Sequence, residues 1–352
     1  MYNRTGQLRT LCNMMQKAAH KKYFLITCCL LFVFVWNACV HAGVLAVGAQ
    51  PVATVFVGGF PIGLELKPHG VIVVGAAAVE TELGSVVPQI PLHAGDVLES
   101  INGHTVANTE DIRTALRAAE DMTADVCVRR GTALLHVPMG LILEDMTGEK
   151  RLGVQVRESV MGVGTVTYVK KDGSFGCLGH PIVLENGNMA PCDTGWAYAC
   201  KIVGCNKGAR GKAGELKGAF VGGTPTGTLR TNCRSGVYGT LNEFSGGTEV
   251  EVAGRKSVKI GKASILATVG NVTESYDIEI IKTSVQNSVS DKSMILRVTD
   301  RRLIAATGGI VQGMSGSPIL QDGKLIGAVT HVFVSDPTKG YGIYADWMLQ
   351  NQ

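Results

Sequence analysis

The 352-residue chain is 45% apolar and 18% charged, with 45 glycines and only 9 phenylalanines. That composition excludes a disordered chain and suits a globular protein rich in tight turns and strands, with room for one large domain or two ordinary ones. The net charge of +4 comes from Arg4, Arg9, Lys17, Lys21 and Lys22, with no acid among the first 22 residues, so the remainder carries a net −1; a basic nucleic-acid stripe is excluded and no nucleic-acid partner is expected.

Residues 23–42, YFLITCCLLFVFVWNACVHA, form a run of twenty mostly apolar residues. A helix of that length spans the roughly 30 Å hydrocarbon layer. The lysines and arginines of residues 1–22 predict a cytoplasmic tail and an exported remainder, tethered in a single pass at the outer face of a bacterial cytoplasmic membrane. Val40-His41-Ala42 is also an acceptable cleavage site, so the alternative is a removed signal segment that releases the protein. Residues 43–53 are small and weakly polar and are expected to form a linker. Of ten cysteines, Cys127, Cys177, Cys192, Cys200, Cys205 and Cys233 lie in the exported part. No C-x-x-C pair occurs, so no metal site is predicted. Cys192, Cys200, Cys205 and Cys233 could be disulfide-bonded outside the cell or be free thiols.

Residues 54–140 are predicted to form a small α+β unit. GVIVVGAAAV has the form of a buried strand, TEDIRTALRAAEDM of an amphipathic helix with Thr109 as a candidate N-cap, and ADVCVRRGTALLHVPM of a hairpin turning at Arg130-Gly131. Gly95-Asp96-Val97-Leu98-Glu99-Ser100-Ile101-Asn102-Gly103 resembles the G-D-x-[IL]-L-x-[IL]-N-G signature of PDZ domains. The resemblance assigns Phe60, Pro61, Ile62, Gly63 and Leu64 to the carboxylate-binding loop. There, peptide C-termini or internal segments would be gripped by backbone N–H groups and by an open strand edge.

Residues 141–352 alternate strands with glycine-rich turns. SVKIGKASILATVG and SYDIEIIKTS are expected to pair as antiparallel strands, LIGAVTHVFV is another strand, and helix is expected only in the last residues, YADWMLQNQ. The prediction is mainly β, an antiparallel sandwich or double barrel.

The chemistry concentrates in Gly313-Met314-Ser315-Gly316-Ser317-Pro318. A serine between glycines sits in a tight turn that a substrate carbonyl can approach, and the N–H groups of Gly313 and Ser315 are candidates for an oxyanion hole. A nucleophilic serine needs a base. His180, in Gly179-His180-Pro181, lies upstream of Ser315 as in the order His, Asp, Ser of chymotrypsin-like chains; His331 lies on the following strand and would flank the substrate pocket. Asp300 is the preferred carboxylate, with Asp291 and Glu243 as rivals that spacing does not separate. A histidine base predicts activity rising between about pH 6 and 7.5. No nucleotide, flavin or metal motif is present in the sequence, so no cofactor is expected.

The succession of an apolar amino-terminal run, a PDZ-like unit, Gly-His-Pro, Thr-Asp and Gly-Met-Ser-Gly-Ser-Pro resembles the SpoIVB (stage IV sporulation protein B) peptidase family. Gly153-Val154-Gln155-Val156-Arg157, Gly162-Val163-Gly164-Thr165 and Gly327-Ala328-Val329-Thr330-His331-Val332-Phe333-Val334 extend the match. The resemblance implies a chymotrypsin-like serine endopeptidase with a triad of His180, Asp300 and Ser315. It also implies secretion into the space between two membranes of the forespore. Its substrates would be the chain itself, near its amino terminus, and a membrane-bound regulator of an intramembrane protease whose release activates a late sigma factor. Glu158, where an Asp is usual, and the Cys- and Lys-rich segment 186–215 depart from the family pattern. An HtrA-like quality-control protease is disfavoured because there the PDZ unit follows the protease; a non-catalytic membrane-tethered PDZ scaffold is disfavoured by the intact serine turn.

Overall fold

The computed structural model describes residues 53–350. The tail at 1–22, the apolar run at 23–42 and nearly all of the linker lie outside the described residues. Among the described residues no helix is long and apolar enough to cross a membrane.

Two strands, β1 (Thr54–Val57) and β2 (Pro61–Lys67), come first. The PDZ-like unit follows: β3 (Val71–Ala76), β4 (Val79–Thr81), β5 (Gly84–Val86), β6 (Val97–Ile101), β7 (His104–Thr105), helix α1 (Thr109–Arg117), β8 (Thr123–Arg130), β9 (Ala133–Gly140), β10 (Ile142–Leu143), β11 (Lys150–Arg151) and β12 (Val154–Arg157). Next are β13 (Val160–Val169), β14 (Ser174–Cys177), β15 (Thr194–Asn206), β16 (Glu215–Phe220), β17 (Gly227–Cys233), β18 (Gly236–Leu241) and β19 (Glu249–Glu251). The chain ends with β20 (Gly261–Val269), β21 (Val272–Thr283), β22 (Met294–Val298), α2 (Arg301–Thr307), β23 (Pro318–Gln321), β24 (Lys324–Val332), β25 (Lys339–Tyr344) and α3 (Ala345–Leu349).

Strands β13, β2, β15, β17, β18 and β14 pair successively, and β14 pairs back onto β13, so six antiparallel strands close on themselves. Strands β20-β21-β22-β25-β24-β23 form a second closed barrel. Closure removes the exposed edges that a long antiparallel sheet would otherwise leave. Each barrel has its own apolar filling: Ile62, Leu64, Leu66, Val166 and Phe175 in the first, Ile265, Ile278, Met294, Leu296 and Ile343 in the second. The expected double-barrel arrangement is therefore present, as are the hairpin at Arg130-Gly131, the β20–β21 pair and the terminal helix.

The expected boundary of 54–140 for the small unit differs from the structure. β1 and β2 belong to the first barrel's sheet, and β2 leads into β13 as its paired neighbour, Leu66 opposite Val160. The whole PDZ-like unit, with sheet order β12-β3-β6-β8-β9, is an insertion between them. It keeps a separate core around Leu98, Ile101, Leu116, Val126 and Val128. The alternation in residues 54–67 suits a strand of either sheet, so only long-range pairing assigns it.

Local details also shift by a residue or so. Asn108, not Thr109, caps α1: its side chain accepts from the N–H groups of Glu110 and Asp111, and Asp111 answers on the cap's own N–H in a capping box. α2 is a helix the periodicity did not announce, because seven residues are too few for an amphipathic repeat.

Candidate active site

The site is assembled on Thr165, a buried residue of β13 in the first barrel. Its N–H donates to the carbonyl of Ser315 (3.0 Å), and its own carbonyl accepts from the N–H of Leu178 (3.3 Å). Its hydroxyl donates to the carbonyl of Gly313 (2.8 Å). One residue thus ties the serine turn to the loop that carries His180. The glycines of the turn follow from this closeness. A Cβ on Gly316 would lie 2.0 Å from the Thr165 carbonyl oxygen, at φ +96°, and Gly313 adopts φ +92°.

His180 follows two left-handed residues, Leu178 (φ 66°) and Gly179 (φ 72°). A side chain at Gly179 would strike Ile343 and Thr330, so the glycine lets the histidine loop press onto the second barrel. The hairpin after His180 is pinned by buried Asn232, whose amide donates to the carbonyls of Ile182 and Ala190 and whose oxygen accepts from Ile182 N.

His180 Nδ1 lies 2.8 Å from the carbonyl oxygen of Pro181. A carbonyl only accepts, so Nδ1 carries the hydrogen in this bond and Nε2 is left as the basic nitrogen. Burial pushes the His180 pKa below its ordinary value. The Pro181 carbonyl raises it, neighbouring His331 lowers it further, and Asp291 raises it. Ser315 is half-buried, and its hydroxyl donates to the carbonyl of Thr330 (2.8 Å). The N–H groups of Gly313 and Ser315 have no acceptor among the described residues, which leaves both available for a developing oxyanion.

The structure places Asp300 elsewhere than the resemblance implied. Its carboxylate caps α2 by accepting from Arg302 N (2.8 Å) and forks onto the Arg302 guanidinium. That guanidinium holds the Asp300 pKa at about 2. None of its contacts is with His180. The carboxylate that acts on His180 is the sequence rival Asp291, which meets His331 Nε2 at 2.7 Å. The His331 ring stacks on His180 with centroids 4.7 Å apart. Glu243, the other rival, makes none of these contacts. A cleft of about 610 Å³ opens beside these groups, lined by Leu64, Val163, Ile182, Val183, Asp291 and His331 among others.

The expected peptide-binding loop also lies elsewhere. Pro61, Ile62, Gly63 and Leu64 are inside β2, hydrogen-bonded on one edge to β13 and on the other to β15, and Phe60 packs against the first barrel's core. A strand paired on both sides has no edge to offer a peptide. The unit's edge strand beside α1 is β12, which pairs with β3 alone. Between β12 and α1 lies a groove of about 200 Å³ lined by Val154, Val156, Thr109, Ile112 and Leu116, with Arg151, Leu152 and Gly153 also in its wall. Gly153 adopts φ +65° at the mouth of the strand. A glycine heading the alternating Val-Gln-Val-Arg was the available signal.

All six cysteines among the described residues are free thiols. Among these residues no cluster of His, Cys, Asp and Glu has the arrangement of a metal site.

The family model for SpoIVB peptidase S55 matches residues 148–349, more than half of the chain. The chain belongs to the SpoIVB peptidase S55 family. It is a serine peptidase, and its inserted unit carries the PDZ-like signature at Gly95–Gly103. No curated protein sequence matches it. Among solved structures, the PDZ domain of the SdrC-like protein Lmo2051 from Listeria monocytogenes is 19% identical, covering 25% of this chain and 87% of that one, with a TM-score of 0.20. The active form of the Rv3671c protease from M. tuberculosis is 13% identical over 54% of this chain and 72% of that one, with a TM-score of 0.35. The inactive form of the same protease gives 14%, 53%, 81% and 0.32 in the same order.

Proposed function

We propose that this SpoIVB-family peptidase is a sporulation signalling endopeptidase, with Ser315 as nucleophile and His180 as base. The observation that carries the catalytic part is the joint anchoring of the serine turn and the His180 loop on Thr165. Ser315 Oγ leaves the Thr330 carbonyl and attacks the scissile carbonyl carbon as its proton passes to His180 Nε2. The carbonyl π pair moves onto oxygen, where the Gly313 and Ser315 N–H groups receive it. Collapse breaks the C–N bond, and His180 returns the proton to the leaving amine. Water repeats the sequence to free the acyl group and restore Ser315.

The substrates proposed are the chain's own amino-terminal region and a membrane-bound regulator of an intramembrane protease, whose cleavage leads to late sigma-factor activation. The family's character supports this reading. The proposed location is the outer face of the cytoplasmic membrane, held by residues 23–42, or free after cleavage. The β12–α1 groove would receive a peptide terminus or an extended segment as an added strand.

Intact-mass analysis after incubation tests this reading, with wild type and Ser315→Ala side by side. Wild type is expected to lose an amino-terminal piece while Ser315→Ala stays whole. Equal shortening of both would remove Ser315 from the reaction.

A further inference from the structure

In a serine peptidase of this mechanism a carboxylate steadies the imidazole and offsets the charge it gains. Here His180 spends its Nδ1 hydrogen on the Pro181 carbonyl, so no carboxylate bonds the ring directly. Asp300, the expected partner, is held by Arg302. Four contacts instead converge on the end of β24. His331 Nε2 meets Asp291 (2.7 Å), and the His331 ring lies over His180 at 4.7 Å with 25° between the planes. The Thr330 hydroxyl donates to the Asp291 carbonyl oxygen (2.6 Å), and the Thr330 carbonyl accepts from the Ser315 hydroxyl.

We propose that Asp291 and His331 form a positioning pair for His180: the carboxylate-anchored ring of His331 fixes the plane of the His180 imidazole, and Asp291 offsets through it the charge that His180 gains in acylation. The inference rests on Ser315 and His180 being nucleophile and base.

The geometry sets the protonation logic. Asp291 accepts only if His331 Nε2 carries a hydrogen, which leaves Nδ1 as the site where His331 gains a second proton. Neutral His331 leaves the Asp291 charge free to favour imidazolium at His180. Protonated His331 places a second cation 4.7 Å from His180 and opposes it. The charged or titratable groups acting on His180 are His331, from β24, and Asp291, from the segment before β22; the neighbouring Ser315 and Thr330 are neutral.

The two members of the pair act on His180 with opposite sign, which gives a test that a structural role would not pass. The readout is the rate at which a fluorophosphonate probe labels Ser315 in the full-length chain, from pH 4.5 to 9. His331→Phe keeps a stacking ring but removes the cation and unpairs Asp291, so the acid limb of the profile moves to higher pH. Asp291→Asn keeps a hydrogen-bond acceptor but removes the negative charge, so the limb moves to lower pH. In each variant the plateau rate falls by at least about tenfold. Limbs that stay in place, or that move in the same direction, overturn the proposal. If His331→Phe does not fold, the direction of the shift in Asp291→Asn decides by itself. Ser315→Ala and His180→Ala test the underlying reading separately. Labelling abolished in both, with His331→Phe and Asp291→Asn at wild-type rate and profile, removes the positioning pair and leaves the peptidase reading standing.

Discussion

The Ser315 hydroxyl donates to the Thr330 carbonyl, one residue before the ring that stacks on His180. That carbonyl cannot take the Ser315 proton, so the hydroxyl must turn away from Thr330 before a base can receive it. Ser315→Cys places a larger, more acidic thiol at the same spot. Cleavage is expected to fall by more than about 10²-fold while alkylation of the thiol marks the site. Alkylation that does not depend on His180 would detach the base from the nucleophile.

The pH dependence follows from His180. Its folded-state pKa lies below the ordinary value of 6.5, chiefly through burial, so the neutral, basic form persists below that pH. Labelling of Ser315 is expected to reach half its plateau below pH 6.5, on the acid side of the window that an unperturbed histidine suggests. The stability consequence has a definite sign. Below pH 6.5 the unfolded chain binds a proton at this histidine that the folded chain resists, so this contribution is present above pH 6.5 and lost as pH falls. Thermal melts at pH 5 and 7 of wild type and His180→Phe measure it; the variant is expected to lose less stability on acidification.

Gly316 has no room for a side chain. A Cβ there would sit 2.0 Å from the Thr165 carbonyl oxygen and 2.6 Å from Leu178 N, with φ at +96°. Gly316→Ala is expected to cost about 3 kcal/mol or more in denaturant unfolding, because strain and clash add. Gly187, also left-handed but with nothing within 4 Å, is the control. Gly187→Ala is expected to cost about 1 kcal/mol. Equal losses would mean that the Thr165 contact is not what constrains the turn.

Asp300 is expected to behave as a helix cap. Asp300→Ala removes the acceptor for Arg302 N and should cost about 1 kcal/mol, whereas Asp300→Asn keeps an N-cap oxygen and most of that stability. A fall in Ser315 labelling for Asp300→Asn beyond its stability loss would return Asp300 to the catalytic machinery.

The groove between α1 and β12 gives a prediction separable from catalysis. Ile112 faces the space between α1 and β12. Ile112→Glu places a charge in that space and is expected to abolish capture of peptides by the PDZ-like unit, with Ser315 labelling at wild-type rate. Unchanged peptide capture, read by fluorescence anisotropy, would move the docking site off β12.

Much of this protein is set by local sequence. The serine turn is legible because Gly-Met-Ser-Gly-Ser states its own backbone requirement, and Gly313 and Gly316 indeed take left-handed angles. Hairpins such as β20–β21 are legible because a period of two and a short turn are local properties. Residues 94–103 announced the PDZ-like unit for the same reason. Contacts across many residues were decided only in three dimensions. The alternation of Pro61–Lys67 suits a strand in any sheet, and its capture by β13 and β15 turned an expected ligand loop into barrel wall. Asp300 and Asp291 both precede Ser315, by 15 and 24 residues, and nothing in their spacing decides between them; Arg302, two residues on, engages one, while the fold of β24 delivers His331 to the other. Sequence determines which residues can do chemistry, because that is a matter of functional groups and local backbone. Which of them meet is decided by barrel closure, because closure joins strands that are distant along the chain.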